Sequence, residues 1–295
     1  MKKNLLFVII VFISTVCMAE QKVTSKDLAP NQKDIALQLY SVRDDISKDY
    51  EGTLKKVGEM GFTHVEAANY NDGLFYGKTP AEFKSDIEKN GMNVLSSHTS
   101  KQLSEKELAS KDFSESLRWW DKCIDAHKAA GMTYIVAPWM EVPKNLKDLQ
   151  TYCEYYNEIG KRCKEKGILF GYHNHAHEFQ KLEGQVMYDY MIEHTDPEYV
   201  FYQMDVYWVV RGQQSPVDYF NKYNGRFKLL HIKDNKELGQ SGMVGFDAIF
   251  KNTDAAGTEN LIVEVENYNF TPIESVQKSL DYLISCPLVK TSYSE

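Results

Sequence analysis

The chain has 295 residues, 43% of them hydrophobic and 26% charged, with a formal net charge of −8 at pH 7. This is globular composition, long enough for one large barrel or two modest domains. The acidic balance and the absence of a Lys/Arg stripe argue against a nucleic-acid partner.

Lys2 and Lys3 precede an apolar run over residues 5–13 and small residues up to Ala19. This reads as a secretory signal peptide over 1–19, cleaved after Ala19, with a periplasmic or secreted mature chain. Lipidation at Cys17 is the weaker reading, because Thr15 and Val16 match that signal poorly. The run is too short to cross a bilayer and no other segment approaches that length, so no integral membrane span is expected. Residues 20–33 read as a polar linker and 34–290 as one catalytic domain. Cys123, Cys153, Cys163 and Cys286 show no zinc-type spacing and are expected to be mostly buried thiols.

From residue 35 onward, short apolar strands alternate with segments of helical periodicity. The expected strands are 35–40, 63–67, 93–98, 133–138, 168–173, 200–205, 227–232 and 261–266. The expected helices cover 50–60, 80–90, 113–130, 145–166, 185–194, 216–223, 246–252 and 272–284. Pro80 opens the second helix, and Gly61, Gly91, Gly131 and Gly167 close the first four. Eight such units predict a single (β/α)₈ barrel. The competing open doubly wound sheet usually carries a Gly-rich first turn, and none follows any strand here.

In a (β/α)₈ barrel the chemistry sits at the C-terminal strand ends. Those ends here carry Gln38 and Tyr40, Glu66, His98, Trp139, His173 with His175, Asp205, His231, and Glu264 with Glu266. Seven polar ends on otherwise apolar strands are costly to bury without a purpose. His173, Asp205, His231 and Glu264 come from four consecutive strands and suit a divalent ion such as Mn²⁺, Co²⁺, Zn²⁺ or Mg²⁺. A hydrogen-bonded polar plug is the competing reading. His98, His175 and Glu66 are the acid–base candidates, although Glu66 suits equally the orientation of a metal-bound imidazole. His177 is expected to point to solvent. Gln38, Tyr40, Trp139, Glu178, Arg211, Lys233 and Asp234 are candidate substrate contacts.

These segments carry a resemblance. Leu37-Gln38-Leu39-Tyr40-Ser41-Val42-Arg43-Asp44, Val65-Glu66, Ser97-His98, Gly171-Tyr172-His173-Asn174-His175, Gln203-Met204-Asp205-Val206-Tyr207-Trp208, Leu230-His231-Ile232-Lys233-Asp234 and Ile262-Val263-Glu264 resemble the xylose isomerase-like barrel superfamily. Within it, the likeness is to proteins called sugar phosphate isomerases/epimerases. The resemblance implies metal ligands Glu, Asp, His and Glu from strands five to eight. By position these are His173, Asp205, His231 and Glu264, with His173 departing from the usual Glu. It also implies that Glu264 doubles as a base in the family's two-base proton shuttle, which the departure at His173 interrupts.

The expected function is a secreted, metal-dependent carbohydrate isomerase/epimerase that abstracts a proton next to a carbonyl. A 3-keto-glycoside lyase or hydratase, needing one strong base, is the first alternative. A sugar-binding barrel without catalysis is the second. Phosphoester hydrolysis of the endonuclease IV kind is disfavoured, because Lys233-Asp234-Asn235 stands where that branch has an Asp-x-His pair. The expected partner is a small carbohydrate, with oligomerisation left open.

Overall fold

The structure is a computed structural model that describes residues 32–293. The expected signal peptide, Cys17 and most of the 20–33 segment lie outside the described residues. Eight parallel strands close into a barrel: β1 Ile35–Gln38, β2 His64–Ala67, β3 Asn93–His98, β4 Tyr134–Ala137, β5 Leu169–His173, β6 Val200–Asp205, β7 Leu229–Ile232 and β8 Asn260–Val263. Each is followed by at least one helix. The main ones are α1 Tyr50–Met60, α2 Pro80–Glu88, α3 Ser114–Ala129, α4 Leu146–Glu165, α5 Met187–His194, α6 Pro216–Lys222, α7 Phe246–Lys251 and α8 Pro272–Ser285.

Local chemistry sets the helix ends. Thr79 with Glu82 and Thr271 with Glu274 form reciprocal capping boxes at α2 and α8, each with Pro in the first turn. Gly61 ends α1 at φ 105°, where a side chain would be strained.

Several strands are shorter than the apolar runs that predicted them. β1 stops at Gln38 because the Gln38 side chain caps a 3₁₀ turn over Leu39–Val42, accepting the Tyr40 N–H at 3.1 Å. Glu264 and Glu266 lie just beyond β8 rather than inside it. Between the expected sixth strand and the expected helix over 216–223, residues 206–211 form a further helix, Val206–Arg211. Its cap is Asp205, whose Oδ1 accepts the Trp208 N–H at 2.9 Å. A capped helix Glu105–Ser110 and two small hairpins in the loops also lacked a clear periodic signal. Lys33, expected in the linker, is already docked: its Nζ donates to the Leu283 and Cys286 carbonyls at 2.9 and 2.6 Å. The four described cysteines are free thiols, three of them buried.

The lower half of the barrel interior is apolar, filled by Ala36, Leu95, Tyr134, Val136, Phe201, Leu229 and Ile262. Burying each large apolar side chain is worth about 1.5–3 kcal/mol. Gly171 on β5 makes room for this plug. A Cβ there would sit 2.5 Å from Cζ of Phe201. Because side chains alternate along a strand, Gln38, Gln203, His231 and Glu264, two positions beyond Ala36, Phe201, Leu229 and Ile262, face the same interior one layer higher. That layer is polar.

Candidate metal centre

Strand register assembles the polar layer. Gln38 pairs with Glu66 across β1–β2, Gln203 with His173 across β5–β6, and Asp205 with His231 across β6–β7. Glu66 sits at the centre, fully buried. Its Oε1 accepts from Gln38 Nε2 at 2.8 Å and His231 Nε2 at 2.6 Å, and lies 3.1 Å from His98 Nε2. Its Oε2 accepts from Ser96 Oγ at 2.6 Å and Gln203 Nε2 at 2.8 Å.

These contacts fix the imidazole tautomers. A carboxylate only accepts, so the Gln203 amide nitrogen faces Glu66 and its Oε1 faces the histidines. That oxygen accepts from His98 Nε2 at 2.7 Å and His173 Nδ1 at 3.1 Å. In the neutral rings this leaves the lone pairs on His98 Nδ1, His173 Nε2 and His231 Nδ1. This is the outer-shell arrangement that orients imidazole ligands at metal sites. His231 Nδ1 lies 3.4 Å from Glu264 Oε2. Although burial opposes it, Glu66 and Glu264 push the His231 pKa up to about 10, so a cation there takes the place of the Nδ1 proton.

His173, Asp205, His231 and Glu264 present donor atoms that all lie within 4.8 Å of one another, and all four residues are buried. Two of these side chains carry buried atoms without a hydrogen-bond partner, Asp205 Oδ2 and His231 Nδ1. Burial pushes the Asp205 carboxyl up, with nearby Glu264 adding to the effect and Lys233 and His231 opposing it. Burial also works against the Glu264 carboxylate, but Lys233 and His231 outweigh it and hold Glu264 well below the usual range. Buried lone pairs and an under-compensated carboxylate at one point are what a divalent cation satisfies. The residues present fit such an ion. His98, with His173 and His231, forms an overlapping set of donors. Its ring stacks on His231 with centroids 5.1 Å apart.

His175 lies beside the quartet, its ring 5.0 Å from His173 and 5.5 Å from Trp208. Burial lowers its pKa to about 4, so it is neutral at pH 7, and its Nδ1 has no partner. His177 is not turned to solvent as expected. It stacks on His175 with centroids 5.9 Å apart, and its Nε2 lies 3.3 Å from Glu178.

Several other expectations change. Glu66 carries five contacts and has no free face for proton transfer. Gln38 is fully buried and spends its amide on Glu66 and the Tyr40 N–H, so it offers nothing to a substrate. Glu178 is fully buried and accepts from the Tyr172 hydroxyl and the His175 N–H, both at 2.8 Å. Burial raises its pKa to about 7. It anchors the β5–α5 loop instead of facing the mouth. Asp234 closes its own loop, accepting from the Asn235 and Gly239 N–H groups at 2.7 and 3.1 Å and from Ser241 Oγ. Lys233 is buried between Glu264 at 2.9 Å and Glu266 at 2.7 Å. Arg211 ends its short helix, donates to the Tyr207 hydroxyl at 2.9 Å, and lines a separate recess of about 440 Å³ with His177 and Phe179. Tyr40 and Trp139 are exposed on the C-terminal face.

Gln203 and Asn174 were missed by sequence. Asn174 Oδ1 accepts the Asp205 N–H at 3.1 Å, and its Nδ2 donates to the Asp205 carbonyl at 3.4 Å, holding that ligand's backbone. Gln203 stands two residues before Asp205 and so shares its face of β6. That spacing was the available signal.

The sequence profile of the xylose isomerase-like TIM barrel family matches residues 54–286. The chain belongs to that family. Among solved structures of this barrel type, a sugar phosphate isomerase/epimerase from Parabacteroides distasonis is 34% identical, with a TM-score of 0.81 over 88% of this chain and 100% of that one. The IOLI protein, solved with a bound zinc atom, shares the fold at 12% identity and a TM-score of 0.65, over 89% of this chain and 100% of that one. An inosose dehydratase of Clostridium tetani is 32% identical over 81 residues, 28% of this chain and 26% of its own. Matches to the other inosose dehydratases span 50% to 66% of their length.

Proposed function

We propose that this xylose isomerase-like barrel is a divalent-metal-dependent enzyme that isomerises or epimerises a carbohydrate by removing the proton next to a carbonyl. The observation that carries the reading is the quartet of converging donors, with its imidazole tautomers set from below by Glu66 and Gln203. His173, Asp205, His231 and Glu264 would hold the ion, and the imidazole-rich set suits Zn²⁺, Mn²⁺ or Co²⁺ better than Mg²⁺. When bound, it would polarise the carbonyl and acidify the neighbouring C–H.

The chain's own residues divide the remaining work. His175 lies beside the quartet, its ring 5.0 Å from that of His173 and its Nδ1 without a hydrogen-bond partner, which places it to take the proton. His98 keeps its lone pair on Nδ1 and is the second acid–base group. Glu264 is held charged by Lys233, so as a base it is weak. The test is incubation of the metal-loaded protein with aldoses, ketoses and keto-glycosides in D₂O. Deuterium should appear at the carbon next to the carbonyl. No exchange with any of them, despite ligand binding, would leave a binding protein without catalysis.

One observation favours a second reading. His173 occupies the strand-five position where the family pattern has a carboxylate base, which removes one partner of a two-base shuttle. A single base suffices for β-elimination. The base takes the α-proton, the C–H pair forms the C=C bond, and the β C–O bond breaks with its electrons leaving on oxygen. The inosose dehydratase relatives are lyase-type proteins by name. Ultraviolet absorbance of an enone product separates this outcome from isomerisation.

We also propose that the chain is exported with residues 1–19 removed. N-terminal sequencing of the mature protein should begin at Glu20, and an unprocessed N-terminus overturns this.

A further inference from the structure

The described residues expose six large hydrophobic side chains: Tyr40, Leu74, Trp139, Val142, Met243 and Phe270. All six lie between the C-terminal end of a barrel strand and the next main helix. Tyr40 follows β1, Leu74 follows β2, Trp139 and Val142 follow β4, Met243 follows β7 and Phe270 follows β8. The opposite face of the barrel and the outer helical surfaces expose none among the described residues. Single exposed apolar residues are ordinary, but six confined to one face mark a binding surface.

Their placement around the mouth is also informative. In the closed barrel β4 and β8 stand four strands apart, on opposite sides. Trp139 therefore rises from one side of the mouth and Phe270 from the other, with Tyr40 in the turn after β1, the strand next to β8. Two of the rings have a cation close by: Arg43 Cζ lies 4.3 Å from the Tyr40 centroid, and Lys278 Nζ lies 4.5 Å from that of Phe270. Rings so held offer flat, oriented surfaces. Beneath them lie the quartet's Glu, Asp and His groups, whose chemistry suits the hydroxyls and carbonyl of a sugar. A free monosaccharide seated there has no use for an apolar rim.

We propose that the mouth binds a glycoside, with the sugar above the quartet and its apolar or aromatic aglycone between the rim rings. This rests on the carbohydrate reading above and names its substrate class. A protein partner laid over the same rim would seal the mouth through which a substrate reaches the quartet, so a small amphipathic ligand is the better occupant.

The experiment is calorimetric titration of the metal-loaded protein with phenyl β-D-glucoside and methyl β-D-glucoside, for the wild type and for W139A and F270A. A stacked aglycone predicts about tenfold tighter binding of the phenyl glycoside, the scale of one or two aromatic contacts. Each variant should shrink that ratio toward one while methyl glycoside binding is retained, and circular dichroism should confirm the fold. Equal binding of the two glycosides, no binding of either, or a ratio untouched by both substitutions overturns the proposal. So does a wild-type dimer that W139A makes monomeric without any phenyl preference, since the rim is then an interface between copies. Deuterium exchange keeps the two claims apart. Exchange without phenyl preference removes only the aglycone site, whereas phenyl preference without exchange removes only the reaction.

Discussion

Strand β2 carries a histidine at one end and a glutamate at the other, and each is part of an imidazole–carboxylate group. At the N-terminal end, His64 Nδ1 lies 2.9 Å from Asp34 Oδ1 and 3.0 Å from Thr63 Oγ1, and Thr63 Oγ1 also donates to Asp34 at 2.7 Å. No atom of that trio is a buried orphan. At the C-terminal end, Glu66 gathers His98, His231, Gln203, Gln38 and Ser96, and Asp205 Oδ2 and His231 Nδ1 beside it still lack a hydrogen bond, the latter with only Glu264 Oε2 at 3.4 Å. The same side-chain chemistry closes on itself at one end and stays open at the other. A closed group stabilises the fold. An open one, buried, implies something that completes it.

Substitutions at the two ends should therefore separate cleanly. The largest effect is expected for D205A and H231A, which should lower metal affinity by more than about 100-fold and abolish turnover, as read by metal analysis and activity. E66L comes next. It strips the donors around it of their acceptor and should cost about 3–5 kcal/mol in denaturant unfolding, together with the metal. Q203L should reduce metal affinity by about 10–100-fold while changing stability by only about 1–3 kcal/mol. Equal metal content in Q203L and wild type would break the tautomer argument.

The smallest effect belongs to the closed end. Burial works to raise the Asp34 pKa, but the His64 hydrogen bond and charge and the Thr63 hydroxyl outweigh it, leaving it lowered. A depressed folded-state pKa contributes stability above the ordinary carboxyl range and loses it as pH falls through the folded value. D34A should thus cost about 1–2 kcal/mol at pH 7 with metal content unchanged. The gap from wild type should close as the pH drops below about 4.

The barrel was legible because eight short apolar runs, each followed by a helical period, repeat along the chain, and parallel strands buried on both faces are apolar nearly throughout. The quartet was legible because ionisable residues at the ends of such strands stand out. What stayed hidden depends on long-range pairing. Gln203 is an unremarkable amide until the fold brings it to Glu66, 137 positions away. Glu178 and Asp234 look like free carboxylates in sequence, but backbone N–H groups of their own loops consume them. The end of β1 was overrun because Leu39 and Val42 are apolar enough to continue a strand, while the Gln38 cap turns the chain into a 3₁₀ turn.

The most direct test of the open end is an anomalous-scattering map of crystals grown from metal-loaded protein. One divalent ion should appear bonded to His173 Nε2, Asp205 Oδ2, His231 Nδ1 and a Glu264 oxygen. An ion bound elsewhere, or a map in which the Lys233 ammonium fills that position and no ion is present, would contradict that.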